Sequence, residues 1–211
     1  LDRLGGFRTT LVSGPAEGPE GDLVRRARPN GVDLRIMPEL RRDLAPWHDW
    51  LAYRKLRKLF RSERPDVVHT HSSKAGVLGR LAGFREGVPA VVHTIHGLPF
   101  HAYQGRLAHA FYAWSERRAA RWCRRILCVA DAMTDQAVAA GVAPRDKFTT
   151  VYSGMEVEPF LKDLGARQRV RREFGFGEEH LVIGKIARLF ELKGHEDVLR
   201  ACVPVLREFP S

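Results

Sequence analysis

Short β-rich runs alternate with longer helix-patterned stretches along most of this 211-residue chain, and that alternation limits the fold more than any other feature. The runs are FRTTLVSG (7–14), VDLRIMP (32–38), PDVVHTH (65–71), PAVVHTIHG (89–97), RILCVA (125–130) and FTTVYSG (148–154). Helical periodicity is predicted from Pro46 to about Ser62, over KAGVLGRLAGF (74–84), over 102–123 and over DAMTDQAVAAG (131–141). Asp131 is expected to be the N-cap of the last of these and Gly141 its C-cap. In the first helix Trp47, Trp50, Leu51, Leu59 and Phe60 are expected near one stripe, with Arg54, Lys55, Arg57, Lys58 and Arg61 off it. Strands this apolar, separated by helices, predict an α/β fold: a parallel sheet with helices on both faces. In such sheets ligands bind beyond the C-terminal strand ends, so the residues just after each strand are the places to look.

The polar, Pro- and Gly-containing stretch from Met155 to Gly165 reads as a connection between two units. The boundaries expected are 1–157 for the first domain, 158–165 for a linker and 166–211 for the start of a second. That second part is predicted to hold a helix (166–174), a strand (180–187) and a helix (193–207), too little for an α/β core of its own. No run approaches eighteen apolar residues, and 44% hydrophobic with 28% charged residues is the balance of a folded globular chain. Beginning at Leu1 without a Met, the chain is expected not to show its natural N-terminus. Cys123, Cys128 and Cys202 fit no metal or redox spacing and are expected to be reduced and buried, as in a cytosolic protein.

A formal net charge of +10 raises the local concentration of phosphate-bearing molecules without choosing among nucleotide, lipid headgroup and nucleic acid. A coding bias toward Arg, as in RRAARWCRR (117–125), would produce the same excess. No nucleic-acid-binding signature accompanies the charge, so no nucleic-acid partner is expected.

Polar residues gather after the central strands. HTHSSKAG places His71, Ser72, Ser73 and Lys74 at a helix start, where exposed N–H groups favour phosphate, or where a serine simply caps the helix. HTIHGLPFH places His96 at a strand tip, Gly97 where backbone can approach closely, and Phe100 and His101 in the loop. His69 and His71 alternate onto one side of a strand, and His93 with His96 adds nitrogen ligands. No acidic ligand cluster joins them, and alternation turns His69 or His93 toward neighbouring helices, so no metal is expected. In IGKIARLFELKGHEDVL (183–199), Arg188 and Lys193 flank a strand-to-helix turn, the Arg a planar fork for phosphate oxygens and the Lys a mobile point charge. Gly194 and His195 would open the helix that follows.

Together RPDVVHTHSSKAG, PAVVHTIHGLPFH, RILCVADAM, KFTTVYSGMEVEPF and IGKIARLFELKGHEDVL resemble the family-four retaining glycosyltransferases, in the expected order over essentially the whole chain. HTHSSKAG with HGLPFH is most similar to bacterial members that build lipid-linked glycans, capsules or exopolysaccharides. The resemblance implies the GT-B fold of two Rossmann-like domains facing across a cleft, the first binding acceptor and the second a nucleotide-sugar donor. It implies catalytic roles for His96, Arg188 and Lys193, with Arg188, Lys193 and Gly154 at the donor diphosphate. It places His71, Ser72, Lys74, Gly97, Phe100 and His101 toward the acceptor. Ser153 and Glu156 replace the more usual Asn and Asp around Gly154. The family's first strand and Gly-rich turn should precede Leu1 and its E-x7-E motif should follow Ser211, so a fragment inactive alone is expected.

The implied reaction moves a sugar from a UDP- or GDP-linked donor to a glycan or polyprenyl-diphosphate acceptor, with no cofactor. The departing diphosphate gains charge in the transition state, which fixed cations stabilise. It is also implied to take the acceptor's proton, consistent with the absence of a dedicated carboxylate base. The basic aromatic helix at 46–62 and the Arg run at 117–125 are expected either to rest on an anionic membrane, at its cytoplasmic face, or to be solvated surfaces. A non-catalytic phosphate-binding module and a sugar-nucleotide epimerase of similar design are the competing readings.

Overall fold

A computed structural model of the chain describes residues 5–16, 32–101, 103–163, 165–190 and 193–209. They fall in two compact units, bounded as Leu1–Ser153 and Gly154–Ser211.

The first unit is α/β with every strand pairing parallel. Its order is β1 (Thr10–Ser13), β2 (Asp33–Ile36), α1 (Pro46–Glu63), β3 (Val67–His71), α2 (Ser73–Arg85), β4 (Ala90–Ile95), α3 (Arg106–Ala119), β5 (Arg125–Cys128), α4 (Asp131–Ala139) and β6 (Phe148–Thr150). Strands β1 and β2 pair with each other, and β3-β4-β5-β6 form a four-stranded sheet in chain order. A parallel neighbour needs a crossover, and α2, α3 and α4 supply the three that this sheet requires.

Alternation along the strands decides what each face carries. Val68 and Thr70 of β3, Val91, His93 and Ile95 of β4, Ile126 and Cys128 of β5 and Phe148 of β6 are buried. Of these, Val91, Ile95, Ile126, Cys128 and Phe148 join Ala113 of α3 and Ala137 of α4 in the main core. Helix α2 lies so close to the sheet because its facing positions are glycines. A Cβ on Gly76 would stand 2.5 Å from His93, one on Gly79 2.7 Å from Thr70 and one on Gly83 2.9 Å from Val91. A second cluster, Met37, Ala52, Leu56 and Ala82, packs α1 onto α2.

The main corrections concern helix faces and one strand. In α1 the core-facing residues are Ala52 and Leu56 at i, i+4 spacing, with Phe60 of the expected stripe packed against the same cluster one turn on, while Trp47 (66% exposed) and Trp50 (44%) stack on each other outside. Ala130 is the N-cap of α4. Asp131 stands in the first turn, where its carboxylate favours the helix dipole and accepts the Tyr152 hydroxyl. Gly141, at φ +67°, sits one residue past the cap Ala140. The helix expected over 102–123 spans Arg106–Ala119 and tightens to a 3₁₀ turn at Ala120–Trp122, Ala102 lying outside the described residues.

The second unit contains α5 (Glu158–Lys162), α6 (Ala166–Glu173) and α7 (His195–Glu208). The strand expected at 180–187 is not formed: these residues make no ladder, and Ile186 is fully exposed. A strand exists only by pairing, and among the described residues of this unit none offers it a partner. Cys123 and Cys128 are buried free thiols, and Cys202 is half-buried.

Candidate active site

Register brings the first group of site residues together. His71, the last residue of β3, lies opposite Thr94 of β4, and His96 follows one residue after β4 ends. Their rings meet at the sheet's C-terminal edge, His71 Nδ1 2.9 Å from His96 Nε2, so one ring nitrogen donates and the other accepts. His69 lies beside His71 with ring centroids 4.3 Å apart and planes tilted by 36°, and its Nε2 lies 2.7 Å from Thr94 Oγ1. Burial lowers the pKa of His71, and charge on His69 or His96 would lower it further, so this ring is neutral near pH 7. His69 is lowered for the same leading reason.

Of the two histidines expected to turn toward helices, only His93 does so. It lies beneath α2, 2% exposed, with Nδ1 2.9 Å from Thr70 Oγ1. Thr70 Oγ1 also lies 3.2 Å from the Val92 carbonyl, so the hydroxyl ties the His93 ring to the β4 backbone. Burial and the nearby Arg80 charge push the His93 pKa down to about 3. Among the described residues no group of three His, Cys, Asp or Glu side chains is arranged to hold a metal ion.

Ser72 connects β3 to α2 at φ +64° and ψ 160°, a conformation that costs a residue other than glycine about 1–3 kcal/mol. It occupies the N-cap position, yet its side chain makes no capping hydrogen bond. The hydroxyl is therefore held out at the strand edge without serving the helix. Lys74 is engaged elsewhere: its ammonium bridges Asp49 of α1 and the Asp43 carbonyl, tying α1 to the start of α2.

The loop after β4 is held by a residue that sequence reasoning missed. Gln104 accepts the His101 N–H at 3.3 Å through Oε1 and donates to the Pro99 carbonyl at 3.0 Å through Nε2. Gly97 is exposed at the rim. Phe100 turns inward to the main core, edge-on to His109, and is 6% exposed. His101 is half-buried with Nδ1 unpaired. Ser72, Ser73, His93, Thr94, Ile95, His96, Gly97, Pro99 and Glu116 line a cavity of about 80 Å³ at this edge.

In the second unit, Arg188 and Lys193 are exposed, Lys193 two residues before α7 begins. His195 Nε2–H donates to the Arg188 carbonyl at 2.7 Å, and Lys185 Nζ donates to the Gly194 carbonyl at 2.8 Å. Gly194, at φ +59°, is the N-cap of α7, a left-handed conformation that suits glycine. Glu196 and Asp197 in the first helical turn already complement the helix dipole. Gly154 is exposed at the start of this unit.

Known proteins share this framework. The chain is similar to UDP-Gal:alpha-D-GlcNAc-diphosphoundecaprenol alpha-1,3-galactosyltransferase of Escherichia coli, 30% identical over 164 residues, which are 78% of this chain and 42% of the relative. It is 23% identical over 167 residues to the capsular polysaccharide biosynthesis glycosyltransferase CapM of Staphylococcus aureus, covering 77% of this chain and 43% of CapM. The chain thus spans well under half the length of these relatives. Among solved structures, Anabaena HepE in complex with UDP and glucose superposes with a TM-score of 0.69 at 16% identity, over 92% of this chain and 50% of that one. A UDP-GlcNAc 2-epimerase from Neisseria meningitidis reaches 0.57 at 14% identity, over 100% and 57%. At such identities the superpositions carry the fold alone, the GT-B type with its parallel sheets flanked by helices. The sequence profile of Glycosyltransferase Family 4 discriminates further: it matches residues 1–159, the strands whose tips bear His71, Ser72 and His96, and the chain belongs to that family.

Proposed function

We propose that the protein transfers a sugar from a UDP- or GDP-linked donor to a glycan or polyprenyl-diphosphate acceptor, with retention at the anomeric carbon. The observation that carries this reading is the sheet edge itself. A hydrogen-bonded pair, His71–His96, stands beside Ser72, whose strained backbone holds a hydroxyl that does not cap the helix at the same strand ends. Strain kept at a ligand-binding edge points to function. The Family 4 match and the lipid-linked acceptor named for the E. coli relative support the substrate class.

In this reading His96 lines the reacting sugar, and His71, Ser72, Gly97 and His101 border the acceptor. Lys74 and Phe100 shape that border from behind, one through Asp49 and the other from the core. Arg188 and Lys193, with Gly154, take the donor diphosphate and neutralise the charge that builds as the glycosidic bond to it breaks. The acceptor oxygen bonds to the anomeric carbon on the same face, and its proton leaves with the nucleoside diphosphate. No metal or cofactor is required for these steps. The work takes place at the cytoplasmic face of the membrane, against which the exposed Trp47–Trp50 stack and Arg54, over the Trp50 ring at 4.8 Å, rest.

The test is transfer by the full-length protein from UDP- or GDP-hexoses to a GlcNAc-diphospholipid. Arg188→Ala and Lys193→Ala should each lower kcat by about 100- to 1000-fold, the usual loss for a fixed charge-stabilising group. Full activity in both variants, or epimerisation of the nucleotide-sugar in place of transfer, would sink the reading. Equal sedimentation with neutral and anionic vesicles would remove the membrane contact.

A further inference from the structure

Beneath the His96 edge lies an ion pair that the proposed chemistry does not use. Arg80 of α2 is fully buried and Glu116 of α3 is 2% exposed. Arg80 Nη2 donates to Glu116 Oε2 at 2.9 Å, and Arg80 Nε donates to the Gly76 carbonyl at 2.9 Å. Burying two charges costs several kcal/mol each, and an apolar pair of similar volume is often as stable, so stability alone is weak grounds for such a pair.

Its position supplies a better reason. Glu116 is a wall of the cavity that also touches Ser72, Ser73, His93, Thr94 and His96. A carboxylate offers about four lone-pair sites, of which Arg80 occupies one. His93 stands on the same wall, its Nδ1 engaged by Thr70. Beside the Ser72, Ser73 and Thr94 hydroxyls and two imidazoles, the lining carries this carboxylate and no Lys or Arg. A phosphate entering here would face a buried carboxylate; a neutral group that donates O–H would be satisfied. At about 80 Å³ the space exceeds the 10–15 Å³ or so that one water needs and falls well short of a pocket for a whole nucleotide-sugar. One edge of a sugar ring fits that description.

We propose that Glu116 is a specificity-determining residue whose carboxylate accepts a hydrogen bond from a sugar hydroxyl entering this cavity, and that Arg80 is the positioning residue that fixes it. This rests on the transferase reading above and adds to it the wall that selects the sugar. Donor and acceptor sugars carry the same chemistry, and separate deoxy series distinguish them.

The full-length protein is assayed with UDP-hexoses and a GlcNAc-diphospholipid, and then with monodeoxy analogues of each. One analogue, in one series, should lose about 10- to 100-fold in kcat/KM, the usual worth of a hydrogen bond to a charged group. Two double variants remove both charges and differ only in the acceptor. Arg80→Met/Glu116→Gln should keep most of the discrimination against that analogue, and Arg80→Met/Glu116→Leu should lose it with an unchanged circular-dichroism spectrum. Glu116→Asp keeps the charge toward Arg80 and shortens its reach, so it should weaken discrimination, and it answers the question if the double variants fail to fold. Equal discrimination in the two folded double variants, unaltered discrimination in Glu116→Asp, or no analogue penalised more than about twofold in the wild type would each overturn the inference. Absence of any transfer by the wild type would instead remove the reading on which it stands.

Discussion

His71 Nδ1 and His96 Nε2 are joined by a 2.9 Å hydrogen bond at the ends of neighbouring parallel strands. Protonating both would set two cations against each other across that bond, and His71 resists it because partial desolvation already lowers its pKa below the ordinary 6.5. The acid limb of the kcat/KM–pH profile should consequently lie below pH 6.5, with the pair intact at neutrality. His71→Ala and His96→Ala should each reduce kcat/KM by about tenfold or more. An acid limb that stays in place in both variants would assign it to another group.

Ser72→Gly should separate stability from activity. Glycine adopts φ +64° and ψ 160° without strain, so the urea midpoint should rise by the equivalent of about 1 kcal/mol after the added entropy cost of glycine. Transfer should fall because the hydroxyl at the strand edge is gone. A variant that is less stable than the wild type would contradict the backbone geometry described for this position.

His93 should make folding sensitive to acid. Its folded pKa is about 3 against an ordinary value of 6.5, so the unfolded chain binds the proton more readily. The sign follows directly: its contribution is complete above pH 6.5 and declines as pH falls toward 3, by about 1.4 kcal/mol per unit. Urea unfolding at pH 7 and pH 5 should therefore differ by about 2 kcal/mol from this residue alone. In His93→Leu that part of the pH dependence should be missing.

Gly76→Ala tests how tightly α2 sits on the sheet. The new Cβ would stand 2.5 Å from His93 Cε1 and 3.0 Å from Nδ1. The ring is hydrogen-bonded to Thr70 and cannot swing away cheaply. Destabilisation of about 1–3 kcal/mol is expected, read as a lower urea midpoint with an unchanged slope. A neutral outcome would mean that α2 lifts without cost.

Much of the first unit was legible because its strands announce themselves by apolar runs and its helices by periodicity and glycine. The candidate edge was legible for the same reason: strand ends locate it, His71 closing one strand and Ser72 and His96 directly following theirs. The Arg80–Glu116 pair was not legible. The partners stand 36 residues apart on different helices, and each reads locally as one more surface charge. The glycines on either side of Arg80, at 76, 79 and 83, were the available signal, since a charge inside a small-residue face must turn toward the protein. The stripe through Trp47 and Trp50 did not show which residues of α1 meet α2, because the narrow α1–α2 contact takes small side chains, Ala52 and Ala82. The segment 180–187 misled because an apolar run records only half of a strand, and the half that matters lies in its neighbour.

The parallel pairing of Val67–His71 with Ala90–Ile95 has a consequence for how such a chain can change over time. Residues can be added to or removed from the turn between Arg85 and Ala90 without disturbing either histidine. One residue gained within Val67–His71 would roll every later side chain of that strand half a turn, sending the His71 imidazole under the neighbouring helix and bringing Thr70 to the mouth. Insertions tolerated in relatives should accordingly crowd into that turn and spare the five strand positions.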